Sequence, residues 1–198
     1  MARQTIRALT SLLVIMALSA SLVLSDASGA VKPLSAVVLA KTYPGLVASA
    51  PGTTNGPIGD AGLHYLPMDN KSGNTKLEYI ILHRVSGYLR AFSHKPPNGD
   101  GAFIFALRYK YSSEETSWLR GFESTISTSG AAKFVVPGIK NASGFTLETS
   151  TSSGTSVTEY VTSFDVGLTT FILITSSSSG DLNKSDAMAL AKLQAKHS

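Results

Sequence analysis

Apolar residues along this chain follow three different rhythms. The first is a continuous run: Ala8 to Leu24 carries no charge and is built mostly from Leu, Ala, Val, Ile and Met. The second has period two. Phe103, Phe105, Leu107, Tyr109 and Tyr111 alternate with Ala102, Ile104, Ala106, Arg108 and Lys110, so one strand face carries the large residues while the other turns basic. The third has helical period: Trp118, Leu119, Phe122 and Ile126 share one stripe.

Leu77 to Ser93 is rich in Ile, Leu, Val, Tyr and Phe, with Gly87 in the middle. This predicts a long strand bent or bulged at the glycine. The stretch from His94 to Gly101 has the proline and Asn-Gly chemistry of a hairpin connection. Ser112 and Glu115 have the spacing of a capping box, which predicts a helix from Ser112 to about Ser127. Further strands are expected at 132–136, 144–150, 157–164 and 168–175. The last contains four apolar residues in succession, Phe171 to Ile174, the pattern of a strand covered on both faces. Asn183 and Asp186 open a final helix, with Lys192, Lys196 and His197 near its negative end. The expected fold is α+β, an antiparallel sheet of about five to six strands with two helices packed on one face.

Three regions follow. Residues 1–30 read as a secretory signal peptide, with Arg3 and Arg7 as the positive segment, the apolar run, and small Ser28 and Ala30 before a cut at Val31. Left uncleaved, the same run would be a single membrane anchor, and this is the one membrane association expected. Residues 31–76 are rich in proline and glycine and read as an ordered wrap over the domain, or as a linker. Leu34 to Ala40 is the one short apolar run there, a helical turn or a strand. Residues 77–198 form the globular α+β domain.

Composition narrows the function. There is no cysteine, hence no disulfide framework, no thiol nucleophile and no lipid attachment at the cut. After the signal, 15 basic residues face 12 acidic ones, without the clustering that nucleic acid binding needs. No Gly-x-Ser-x-Gly elbow, Ser-x-x-Lys pair, His-Glu-x-x-His, phosphate-binding glycine loop or EF-hand loop occurs. The four histidines, His64, His83, His94 and His197, lie in different parts of the expected fold and do not suggest a zinc site. No cofactor is expected.

The domain resembles a group of exported actinobacterial proteins and lipoproteins of unknown function. The resemblance rests on Gly87-Tyr88-Leu89-Arg90-Ala91-Phe92, on Phe134-Val135-Val136-Pro137-Gly138-Ile139 followed by Gly144-Phe145, and on the pattern from Tyr160 to Ala195. It covers roughly residues 77–197 and implies an α+β sandwich of the PsbP-like kind. Many members carry a lipobox cysteine that this chain lacks. The shared motifs are structural, so no functional residue is carried over.

The expectation is an exported cell-envelope or extracellular domain that binds a small or lipid-like ligand, or an envelope protein, without catalysis. Trp118 and the aromatic face of 103–111 could line a ligand groove. Arg84, Arg90 and Arg108 fall on adjacent strands and could form a small basic patch. The alternative is an envelope glycan hydrolase using Glu148 and Glu159, which hairpin pairing about Ser153 would bring near each other. A structural or adhesive module is a third reading. Asn141-Ala142-Ser143 fits an N-glycosylation acceptor.

Overall fold

The period-two stretches become the strands of one sheet in the computed structural model, which describes residues 32–40, 46–48, 56–57, 84–94, 100–150 and 154–198. The signal segment, the 94–101 turn except at its ends, and residues 77–83 of the expected first strand lie outside the described residues, as do His64 and His83.

Helix α1 (Leu34–Val37) and strands β1 (Leu46–Ala48) and β2 (Gly56–Pro57) come first. Then follow β3 (Arg84–His94), β4 (Gly101–Tyr109), α2 (Ser112–Thr128), β5 (Ala132–Val135), β6 (Ser143–Ser150), β7 (Ser156–Val166), β8 (Thr169–Ser177) and α3 (Lys184–His197). The sheet is antiparallel and eight-stranded, in the order β1-β3-β4-β8-β7-β6-β5, with β2 also paired to β3. It has more strands than the five or six expected, because short pieces of the Pro/Gly-rich segment pair with the outer edge of β3. The expected irregularity in β3 falls as a register shift between Arg84 and Ser86, just before Gly87.

The helices do not share a face. Successive side chains of a strand point to opposite sides, and each side here has its own core. On one side Leu89, Phe105, Leu107, Phe145, Val161, Ile172 and Ile174 pack under Trp118, Leu119, Phe122 and Ile126 of α2. On the other, Ala102, Ile104, Ala106, Phe164, Phe171 and Leu173 pack against Leu190 and Ala191 of α3, with Leu34 and Val37 of α1 alongside. The expectation of two helices on one face is therefore corrected: the sheet is the middle layer. The unbroken apolar run of β8 shows why, since Phe171 and Leu173 face α3 while Ile172 and Ile174 face α2.

The two long helices begin differently. Asn183 caps α3 as expected: its Oδ1 accepts from the Ser185 amide at 2.8 Å, and Asp186 accepts from the Asn183 amide at 2.9 Å. The capping box expected at Ser112 does not form. Tyr111 stands at the N-cap with no side-chain cap bond, and Glu115 turns into the protein instead.

Candidate functional site

Side chains of α2 and the β7 end of the sheet frame an open cleft of about 310 Å³. Thr116, Arg120 and Glu123 lie one helical turn apart on the flank of α2, beside its buried stripe. Asn141 and Ser143, at the entry to β6, and Asp165, near the end of β7, complete the wall. Asn141 holds a left-handed backbone, with φ of 58°, a conformation that asparagine tolerates better than most residues.

The walls are tied together by hydrogen bonds. Ser163 donates its hydroxyl to Glu123 Oε1 at 3.1 Å, linking β7 to α2. Thr170 donates to Asp165 Oδ1 at 2.7 Å across the β7–β8 pair. Asp165 is held above the usual carboxylate range, first by burial and then by the negative charge of Glu123, against the lowering effect of Thr170. Glu115 is buried in the first turn of α2, and its Oε1 has no hydrogen-bond partner. Burial, with repulsion from Asp165, pushes its pKa from 4.5 to about 7. The cleft thus offers a guanidinium, carboxyls, hydroxyls and an amide to a small polar solute. Among the described residues no group of three or more His, Cys, Asp or Glu side chains is placed to hold a metal ion.

Of the residues singled out from the sequence, Asn141 and Ser143 line the cleft, and the candidate catalytic and ligand-lining residues fall elsewhere. Glu148 pairs with Thr158, and Glu159 pairs with Leu147. Neighbouring positions on paired strands alternate faces, so the two glutamates emerge on opposite sides of the sheet. This overturns the acid–base pair. Glu148 is exposed and accepts from Thr158 Oγ1 at 3.1 Å. Glu159 is buried on the α2 side, accepting from Ser176 Oγ at 3.4 Å while its Oε2 has no partner, and burial raises its pKa to about 7.

From Phe105 to Tyr109 the aromatic face is packed shut. Trp118 stacks on Phe122 at 5.3 Å between ring centroids and meets Tyr109 at 6.3 Å, and all three are buried. Arg90 and Arg108 share a sheet face but each meets a local partner. Arg90 pairs with Ile104 in register, two side-chain rows from Arg108, and its guanidinium lies 5.5 Å above the Tyr88 ring. Arg108 Nε donates to Thr169 Oγ1 at 3.4 Å. Arg84 occupies the register position opposite Tyr109. His94 ends β3 and His197 ends α3.

Asp165, Glu123 and Arg120 carry no local motif and were missed by sequence reasoning. The signal that joins them is the β7–β8 register, which puts Asp165 on the same sheet face as Val161, beneath α2. No protein-family model, no curated protein and no solved structure matches this chain.

Proposed function

We propose that this chain is an exported, non-catalytic binding domain of the cell envelope or extracellular space, and that it takes a small polar ligand in the α2–β7 cleft. The observation that carries the reading is the cleft itself: charged and neutral hydrogen-bonding groups line it, whereas the aromatic face expected from the sequence to line a groove is filled by its own side chains. Recognition of a solute by a few placed polar groups is the usual economy of such sites. Arg120 would meet an acidic or carbonyl group of the ligand, and Asp165 and Glu123 its amine or hydroxyl groups. Export rests on the basic start, apolar run and small residues before Val31. The resemblance to exported proteins of unknown function belongs to the same reading.

Two measurements test it. Native mass spectrometry of the protein recovered from an export-competent host should show a retained small molecule, and N-terminal sequencing of that material should start near Val31. Thermal-shift screening against amino acids, polyols and short sugars should then find a ligand that raises the melting temperature of the wild type. The Arg120→Ala and Asp165→Asn variants should lose that shift. Retention of the same ligand by both variants would move the site elsewhere, and an unprocessed chain would remove the exported part of the reading.

A further inference from the structure

Large apolar side chains exposed to water tend to mark contact surfaces when they gather in one place. Three do so here. Val166 is 38%, Leu168 41% and Tyr111 52% exposed. Val166 and Thr169 pair across the turn that carries Gly167 and Leu168. The Leu168 carbonyl accepts from the Tyr109 amide at 2.9 Å, which fixes the turn against the end of β4, two residues before Tyr111. Among the described residues, the other exposed large apolar side chains, Val135 and Leu193, stand apart on β5 and α3.

The tip is basic as well as apolar. Lys110 Nζ lies 5.3 Å from the centre of the Tyr111 ring, and Arg108 reaches Thr169 at the foot of the turn. Two acidic neighbours turn to the α2 side: Asp165, engaged by Thr170, and Glu115, which is buried. We infer that this tip docks the protein onto an anionic lipid surface, with Val166, Leu168 and Tyr111 entering the headgroup layer and Arg108 and Lys110 meeting its phosphates. Aliphatic residues on a projecting turn suit shallow insertion, and a tyrosine, apolar with a polar end, suits the interface. Each basic side chain close to an anionic leaflet strengthens partitioning about fivefold. The tip is a hairpin turn beside a strand end, with charge complementary to the lipid. Asp165 follows directly onto the turn through Val166, so docking would hold the cleft next to the membrane.

The absence of cysteine makes the test clean. In the full chain, Leu168→Cys and, separately, Val166→Cys are labelled with a polarity-sensitive fluorophore, and Ser156→Cys serves as a control at the far end of β7, about 30 Å away by strand rise. Vesicles are made of phosphatidylglycerol and phosphatidylcholine in equal parts, or of phosphatidylcholine alone. The probes at 166 and 168 should shift to the blue and brighten at least twofold on the anionic vesicles, and Lys110→Glu should reduce the effect severalfold. The probe at 156 should stay unchanged, so that tethering through the N-terminal apolar run is told apart from docking of the tip. Silent probes at both tip positions, equal response at 156, or equal response on phosphatidylcholine alone would each overturn the inference.

Discussion

Gln194 of α3 closes both ends of its amide on the N-terminal segment: Nε2 donates to the Val37 carbonyl at 2.7 Å, and Oε1 accepts from the Leu39 amide at 3.0 Å. The side chain is fully buried. One glutamine thereby satisfies two backbone groups where α1 gives out and ties residues 37 and 39 to the last helix of the chain. Gln194→Leu would leave an amide and a carbonyl without partners, at a cost of about 2–3 kcal/mol. Urea unfolding should show the midpoint fall, and limited proteolysis should cut the N-terminal segment sooner. An unchanged midpoint would mean that water replaces both bonds.

Gly144 and Phe134 form a second built-in pair. They are register partners across β5 and β6, and a Cβ at Gly144 would overlap the Phe134 ring. Lys184 Nζ covers the ring 5.8 Å from its centre. Gly144→Ala must expel the ring from its place, which costs about 1–3 kcal/mol. Phe134→Ala should lose packing of comparable size, yet the double variant should be less harmful than the two single effects together, because the clash needs both partners. Strict additivity in a double-mutant cycle would contradict the overlap.

Glu159 makes stability depend on pH in an unusual sense. Its folded pKa, about 7, lies above the ordinary 4.5, so the folded chain holds a proton that the unfolded chain releases. Its contribution to stability is greatest below pH 4.5, falls as pH rises toward 7, and changes no further above it, a loss on the order of 1–3 kcal/mol. Glu115 acts in the same direction. Glu159→Gln should flatten the decline of the urea midpoint between pH 5 and pH 8. A wild type whose midpoint rises over that interval would exclude a neutral buried Glu159.

Asp100 works the opposite way. Burial alone would raise its pKa, but Ser179 through its hydroxyl and amide, the Ser178 amide and the Ser177 hydroxyl all donate to it, and they hold the carboxyl below the usual range. Its contribution is present above the unfolded pKa and disappears as pH falls through the depressed folded one. Asp100→Ala should cost about 2–3 kcal/mol at pH 6 and should remove the acid-side loss of stability that the wild type shows below about pH 4. If the variant and the wild type lose stability in parallel on acidification, another carboxylate governs that limb.

Much of the framework was legible in the residues. The alternation from Ala102 to Tyr109, the Trp118 stripe and the Asn183 cap each rest on local chemistry, and each stands where that chemistry put it. The failures were failures of parity and of long-range choice. A hairpin centred on Ser153 pairs Glu148 with Thr158, so Glu159 is one residue too far and lands on the other face. Ser112 could have capped its helix locally, but Glu115 lies among the apolar residues of the buried stripe and is drawn under α2. The layering was half visible: four successive apolar residues in β8 already required cover on both sides, which is incompatible with both helices on one. The cleft was not visible, because Asp165, Glu123 and Asn141 come together only when β7, α2 and the start of β6 are in place.

The strand order has a consequence in time. β8 is next to last among the elements but sits at the centre of the sheet, between β4 and β7. Until it arrives, the β3–β4 and β6–β7 hairpins each present a bare edge with nothing to join them, and the pairing of Ala102 with Thr175 must close a long loop. Such late, distant closure makes folding slow. Assembly therefore waits on synthesis: the strand that joins the two halves of the sheet is made among the last. Nascent chains stalled before Thr169 should be cut readily by protease, and those extended past His197 should resist.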